Sequence, residues 1–155
     1  MLKFSAGILL FRKVNSDLDV FLVHPGGPLW AHKDVGAWSI PKGEFEPDEE
    51  AFSAAKREFA EETGFDIKGD FIPLTPVRQS AVKTVYAWAV EGNLDAAAIR
   101  SNTFTMQWPL KSGSYQDFPE VDCGGWFTIP EARKKMVTGQ LPLLDELIDH
   151  LKQRE

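Results

Sequence analysis

An α/β/α sandwich, a mixed β-sheet with helices on both faces, is the fold class this sequence predicts. Three observations lead there. Runs rich in Phe, Val, Ile and Leu occur in both halves of the chain, so strands are drawn from its whole length. Helical patterning interrupts those runs at residues 48–64 and returns near the C-terminus, without the strict βαβ alternation of a doubly wound sheet. The chain has 155 residues, 43% of them apolar and 26% charged, enough for one domain whose core needs no disulfide staples. No repeat, low-complexity tract or linker divides it, so residues 1–155 read as a single domain.

In chain order, residues 3–12 and 18–24 read as strands joined by a hairpin turn at Asn15, Ser16 and Asp17. Arg12 and Lys13 follow the N-terminal apolar stretch, and no small-residue cleavage site does, which fits a strand better than a signal peptide. The Gly- and Pro-punctuated segment 25–37 is a loop, and Trp38-Ser39-Ile40 is a short strand stopped by Pro41. A helix follows. Asp48 is its expected N-cap, Glu49 and Glu50 suit the positive end of its dipole, and Gly64 is placed to end it left-handed. Residues 67–78 and 81–90 are extended, and in the second Val82, Thr84, Tyr86, Trp88 and Val90 alternate on one face. The segment 101–123 holds Phe104, Trp108, Tyr115 and Phe118 with little periodicity. It reads as a long irregular connection, too aromatic for a solvent loop, and residues 101–121 are expected to shape the substrate pocket and set specificity. Residues 125–129 are a last strand, and Leu144, Leu147, Ile148 and Leu151 form the apolar stripe of a C-terminal helix.

Composition narrows the function classes. No apolar run approaches the length of a membrane span. One cysteine, Cys123, forms no internal disulfide and points to a reducing compartment such as the cytoplasm, and no Cys/His spacing suggests zinc. A net charge of -6 argues against nonspecific binding to a nucleic-acid duplex, although an acidic protein binds polyphosphate where a divalent cation mediates the contact.

The central helix carries Glu58, Glu61 and Glu62 within an arc of roughly 100°. Like charges three and four residues apart repel. Phe52, Ala55 and Phe59 form the stripe beside them, so the acidic stripe borders the buried face. The bland reading is a solvated acidic face. The sharper one is a site for a hard divalent cation, which takes carboxylate oxygens and turns the repulsion into attraction.

The residues Gly43, Glu49, Arg57, Glu58, Phe59, Glu61, Glu62, Gly64 and Phe65 resemble the Nudix box, G-x5-E-x7-R-E-U-x-E-E-x-G-U, the signature of the Nudix (MutT-like) hydrolases. Spacing and charge match throughout, and Phe at the two U positions is a mild departure from the commoner aliphatic residues. At ordinary residue frequencies of about 5–7%, a chance match is on the order of 10⁻⁷, which leaves the bland reading little weight. The box spans 43–65, and the order of elements around it also looks like the whole Nudix domain.

The resemblance implies a Nudix fold and water attack at phosphorus in a nucleoside diphosphate linked to a second group. It implies that Glu58, Glu61 and Glu62 bind Mg2+ or Mn2+, with the Gly43 carbonyl as a further ligand. It also implies that Arg57 orients glutamates by a bidentate contact in which Lys would be a poor substitute, and that Glu49 supports them. The proton of the attacking water goes to one of these carboxylates or to an acidic residue on a distant loop, for which Glu120 is the candidate. The entry Trp38-Ser39-Ile40-Pro41-Lys42-Gly43 is similar to that of diadenosine polyphosphate and diphosphoinositol polyphosphate hydrolases, with Lys42 meeting phosphate. Few cations are available for an inositol polyphosphate: Lys33, Lys42, Lys83 and Lys111. Tyr86, Trp88, Trp108 and Tyr115 offer flat faces on which a base can stack, as do Trp30 and Trp38, and Lys42, Trp38, Tyr86, Trp108 and Glu120 are the expected substrate-binding residues. The expected substrate is therefore a dinucleoside polyphosphate of the diadenosine tetraphosphate kind. A nucleoside triphosphate cleared as a damaged or surplus metabolite is the alternative. A noncatalytic nucleotide-binding module would have lost box glutamates, and a structural protein with an acidic partner-binding helix leaves the Gly, Arg and Glu spacing unexplained.

Overall fold

The computed structural model describes residues 1–154. Among the described residues, nine strands and three α-helices follow in chain order: β1 (Lys3–Val14), β2 (Asp17–Pro25), β3 (Lys42–Glu44), α1 (Ala51–Thr63), β4 (Ile72–Pro73), β5 (Val77–Arg78), β6 (Lys83–Glu91), β7 (Thr103–Gln107), β8 (Tyr115–Pro119), β9 (Val121–Thr128), α2 (Ile129–Lys135) and α3 (Leu141–Gln153). The mixed sheet runs β4-β6-β1-β2-β9, with β3 added to β1 and β5 to β6. β1 is parallel to β6 and antiparallel to β2 and β3. Its hairpin with β2 turns through Asn15, whose φ of 59° is a conformation Asn tolerates in a two-residue loop.

Strand alternation divides the apolar residues between two cores. Ala6, Ile8 and Leu10 of β1 pack with Ala54, Ala55 and Phe59 of α1 on one face. Leu9, Leu22, Val85 and Ala87 pack with Leu143, Leu144 and Leu147 of α3 on the other. The alternation expected along β6 is present, since Trp88 and Val90 belong with the α1 side and Val85, Ala87 and Ala89 with the α3 side. Among the described residues no helix is long and apolar enough to cross a membrane.

Three expectations need correction. The N-cap of α1 is Glu50, with no side-chain cap bond, and Asp48 lies ahead of it in a turn closed by the Glu49 N–H on the Glu46 carbonyl (3.0 Å). The first helical bond, Ala54 N–H to the Glu50 carbonyl (2.9 Å), can only start after that turn. Gly64 does end the helix left-handed, at φ 79°. Trp38-Ser39-Ile40 makes only isolated bridges, Ser39 to Val23 and Trp38 to Met136. The segment 101–123 is not irregular: β7 and β8 form an antiparallel hairpin from Thr103 opposite Pro119 to Gln107 opposite Tyr115, and β9 follows at Val121. The alternation Thr103-Phe104-Thr105-Met106-Gln107 is the period-2 signal for β7, short enough to be masked by the aromatic residues around it.

Candidate active site

α1 and β3 bring the box residues together. Ala6 of β1 pairs with Gly43, which sets β3 beside α1. Glu58 is only 8% exposed, and its carboxylate lies so close to Gly43 that a Cβ there would overlap it. Arg57 reaches three carboxylates. Its Nε and Nη2 make a fork on Glu49 (2.8 and 2.9 Å), while Nη1 donates to Glu58 (2.8 Å) and Glu61 (3.2 Å). The Glu49 bond, first, and those to Glu58 and Glu61 hold the guanidinium above its ordinary value, and the Arg57 bond in turn holds Glu49 below its own. Glu62 accepts the backbone N–H of Lys42 (3.1 Å).

Glu120 joins this group from the other end of the chain. The N–H of Asn102 donates to the Glu61 carbonyl and the N–H of Glu120 donates to the Asn102 carbonyl, both at 2.8 Å, so Asn102 stitches the last turn of α1 to the β8–β9 junction. The N–H of Gly26 then donates to the Glu120 carbonyl (2.9 Å) and adds the loop after β2. Asn102 is a positioning residue that sequence reasoning missed, because its contacts are backbone bonds and carry no residue signature.

Burial is the first cause that raises three of these acids above their ordinary range. Glu62 is pushed up to about 8, against the pull of Lys42. Glu58 is raised, with Arg57 opposing. Glu120 is raised by burial and then by Glu61. Lys42 is lowered by burial first and by Lys83 second, while Glu62, Glu44 and Glu58 pull the other way. Partly desolvated carboxylates with so few donors are short of positive charge. An all-oxygen set of this kind fits a hard divalent cation, with Glu58, Glu61 and Glu62 as the residues that would hold it and Gly43 against Glu58.

Beside the carboxylates lies a cavity of about 290 Å³ lined by Gly26, Gly27, Trp30, Phe104, Met106 and Glu120 among others. Glu120 thus belongs to both the acid cluster and the cavity. A larger cavity, about 530 Å³, lies beside α1 between Lys56, Ala60, Ile67 and Lys68. Arg57 and Phe59 border it, but none of the clustered glutamates lines it.

The aromatic expectations fare unevenly. Trp38, expected at the substrate, is packed edge-on between His24 (5.2 Å) and Phe127 (5.0 Å) against the α3-side core, with its indole N–H donated to Asp34 (2.8 Å). Tyr86 meets the rings of Phe4 (6.2 Å) and Phe45 (6.0 Å). Trp108 stands past the cavity at the end of the β7–β8 hairpin, where its N–H donates to the Ser114 carbonyl (2.9 Å) and its carbonyl accepts from Gln116 (3.1 Å). Trp30 and Phe104 line the cavity instead. Trp30 was among the stacking faces expected, and the legible signal for Phe104 was the run Pro25-Gly26-Gly27-Pro28, which lets backbone pass close to its ring.

Helix-borne carboxylates, a glycine that makes room for one of them and a single arginine serving three are the chemistry a phosphoanhydride hydrolase site calls for. The NUDIX domain family model matches residues 1–147, so the chain belongs to that family and is a Nudix hydrolase. No curated protein sequence matches the chain. Among solved structures it is similar to an Ap4A hydrolase binary complex from C. elegans, at 20% identity and TM-score 0.67 over 98% of this chain and 99% of that one. It is similar to the NUDIX domain of Shewanella oneidensis NrtR complexed with ADP ribose, at 16% identity and TM-score 0.68 over 97% and 89%. A third likeness is to MutT from Aliivibrio salmonicida and Vibrio cholerae, at 16% identity and TM-score 0.55 over 95% and 96%. At these identities the structural likenesses establish the fold.

Proposed function

We infer that the protein is a Mg2+- or Mn2+-dependent pyrophosphohydrolase whose substrate is a dinucleoside polyphosphate of the diadenosine tetraphosphate kind, working in a reducing compartment such as the cytoplasm. The observation that carries this reading is the position of Glu120, shared by the acid cluster and a cavity walled by Trp30, Phe104 and Met106. A phosphate chain laid along the acids would then deliver a base to aromatic and thioether side chains. The overall likeness to an Ap4A hydrolase supports the same choice.

The cation, when bound, neutralises nonbridging phosphate oxygens and makes water a better nucleophile. Glu58, Glu61 and Glu62 hold it, and Arg57 fixes Glu58 and Glu61 through its one Nη1. Lys42 meets a phosphate oxygen as a point charge. Glu120, raised by burial first and by Glu61 second, is the group placed to take the water proton. Hydrolysis assays over dinucleoside polyphosphates, nucleoside triphosphates and nucleotide sugars, with each metal and with a chelator, test the reading. Diadenosine tetraphosphate should give the highest kcat/KM, and Glu58→Gln and Glu62→Gln should each lower turnover by at least a hundredfold. A preference for triphosphates would overturn the substrate, and metal-independent or absent turnover would overturn the enzyme reading.

A further inference from the structure

His24, Asp122 and Cys123 are brought together on elements that the hydrolytic site does not use for its carboxylates. His24 of β2 pairs with Cys123 of β9, and the register shifts between His24 and Pro25 so that Asp122 is the extra residue. A bulge of this kind re-aims side chains. Here His24 Nδ1, an Asp122 carboxylate oxygen and Cys123 Sγ lie within 4.8 Å of one another. The imidazole packs on Trp38, which belongs to the α3-side core, whereas α1 and its glutamates cover the opposite face of the sheet.

The hydrogen bonds of His24 fix what its ring can offer. The ring is 6% exposed, and Nε2 lies 2.6 Å from the Lys33 carbonyl oxygen, which can only accept. Nε2 therefore carries a proton, and in the neutral ring Nδ1 presents its lone pair. That lone pair faces an Asp122 oxygen at 2.9 Å. Two acceptors at this separation repel unless a proton or a cation lies between them. A ring N–H donated to a backbone carbonyl, with the other nitrogen aimed at anionic ligands, is the arrangement that orients metal-binding histidines. Asp34 is near both His24 and Cys123 and is itself held by Lys135 and Trp38.

We propose that His24 Nδ1, Asp122 and Cys123 Sγ form a second metal site, for a thiophilic divalent cation such as Zn2+, separate from the carboxylate site of α1. The mixed N, O and S donor set suits a borderline-soft ion, whereas the all-glutamate set suits a hard one. Zn–N and Zn–S bonds of about 2.0 and 2.3 Å bring tetrahedral ligand atoms to roughly 3.5 Å apart. Asp122 and Cys123 are exposed and have room to close that distance onto the anchored imidazole. Without a cation, partial desolvation first and the Asp122 carboxylate second push the Cys123 thiol up to about 11, and a bound cation would discharge it. Three protein ligands leave the fourth position to water. Occupancy would tie the loop that carries Lys33 and Trp30 to β9 just past Glu120, and so brace two walls of the 290 Å³ cavity.

Co2+ titration of the full chain, followed by absorbance in a thiol-free reductant, tests this directly. A sulfur-to-cobalt charge-transfer band in the near ultraviolet requires a Cys–Co bond, which the glutamates cannot supply. One equivalent per chain should generate the band, Zn2+ should displace it, and affinity should tighten as pH rises because the thiol must lose its proton. The band should vanish in Cys123→Ser, persist in the Glu58→Gln/Glu62→Gln double variant, and need at least tenfold more Co2+ in Asp122→Asn, an exposed change that leaves the core intact. Absence of the band at saturating Co2+ overturns the proposal. So does equal affinity in Asp122→Asn and His24→Gln as in the native chain, since the cysteine would then be binding alone.

Discussion

At Arg57 one guanidinium serves three carboxylates, and its planarity is what allows it. The fork on Glu49 uses Nε and Nη2, which leaves Nη1 to reach Glu58 and Glu61. A lysine has the charge without the fork. Arg57→Lys should therefore cost at least tenfold in turnover, while the melting temperature falls by only a few degrees, because the pairs to Glu49 and Glu61 are partly open to solvent and the lysine keeps a charge beside Glu58. Steady-state kinetics and a thermal melt on one preparation check both halves. Glu62 makes the opposite kind of contribution. Burial pushes its carboxyl up to about 8 from an ordinary 4.5, so between those values the folded state binds more protons than the unfolded chain. Stability of the metal-free protein should then be fully present below about pH 4.5 as far as Glu62 is concerned, and fall as pH rises through 8. Urea unfolding in chelator at pH 5.5 and 8.5 should show that fall, and Glu62→Gln should flatten it. An equal fall in both proteins would place the titration elsewhere.

Among the elements, those with a strong apolar pattern, α1 and strands β1, β2 and β6, were legible, and the half-exposed β7–β8 hairpin was not. α1 could be placed on the sequence because Phe52, Ala55 and Phe59 recur at helical spacing and Gly64 ends it, yet its start was misplaced when a turn at 46–49 won over the Asp48 cap. The β7–β8 hairpin escaped notice because Thr, Gln and Tyr alternate there with only a few apolar residues, and a strand exposed on one face leaves a weak signal. The same hairpin decides which aromatic residues matter. Phe104 points at Gly27 and lines the cavity, whereas Trp108, the residue expected to stack on a base, lies beyond it. Phe104→Ala should raise KM roughly tenfold with turnover nearly unchanged, the signature of a contact made equally in ground and transition states, given about 1–3 kcal/mol for a stacked base. Trp108→Ala should leave both constants within about twofold and cost far less than the roughly 3–5 kcal/mol of a core aromatic. A large KM effect at Trp108 with none at Phe104 would reverse this assignment.

For the whole molecule, the box made the acidic side of the site legible, since its residues are close in sequence. Glu120, Asn102 and the His24 cluster join segments about forty to a hundred residues apart through strand pairing and loop backbone bonds, which spacing along the chain cannot display. The consequence is a fold that gathers Glu58, Glu61, Glu62 and Glu120 in a chain already at net charge -6. Their mutual repulsion and desolvation weigh on the metal-free state, and a cation that binds only the folded site must relieve them by mass action. At a magnesium concentration about 100-fold above its Kd the gain is about 2.7 kcal/mol. For a domain of this size each kcal/mol moves the melting temperature by about 2–4 °C, so the rise should be on the order of 5–10 °C. Glu62→Gln should raise the starting melting temperature in chelator and shrink the magnesium-dependent rise. Cys123→Ser should leave the magnesium response intact, because a hard cation takes its ligands from the glutamates and not from the thiol. The measurement is a series of melts across magnesium concentrations for the three proteins. If all three rose together, the cation would be acting on the surface at large rather than on α1, and the assignment of Glu62 to the metal would fail with it.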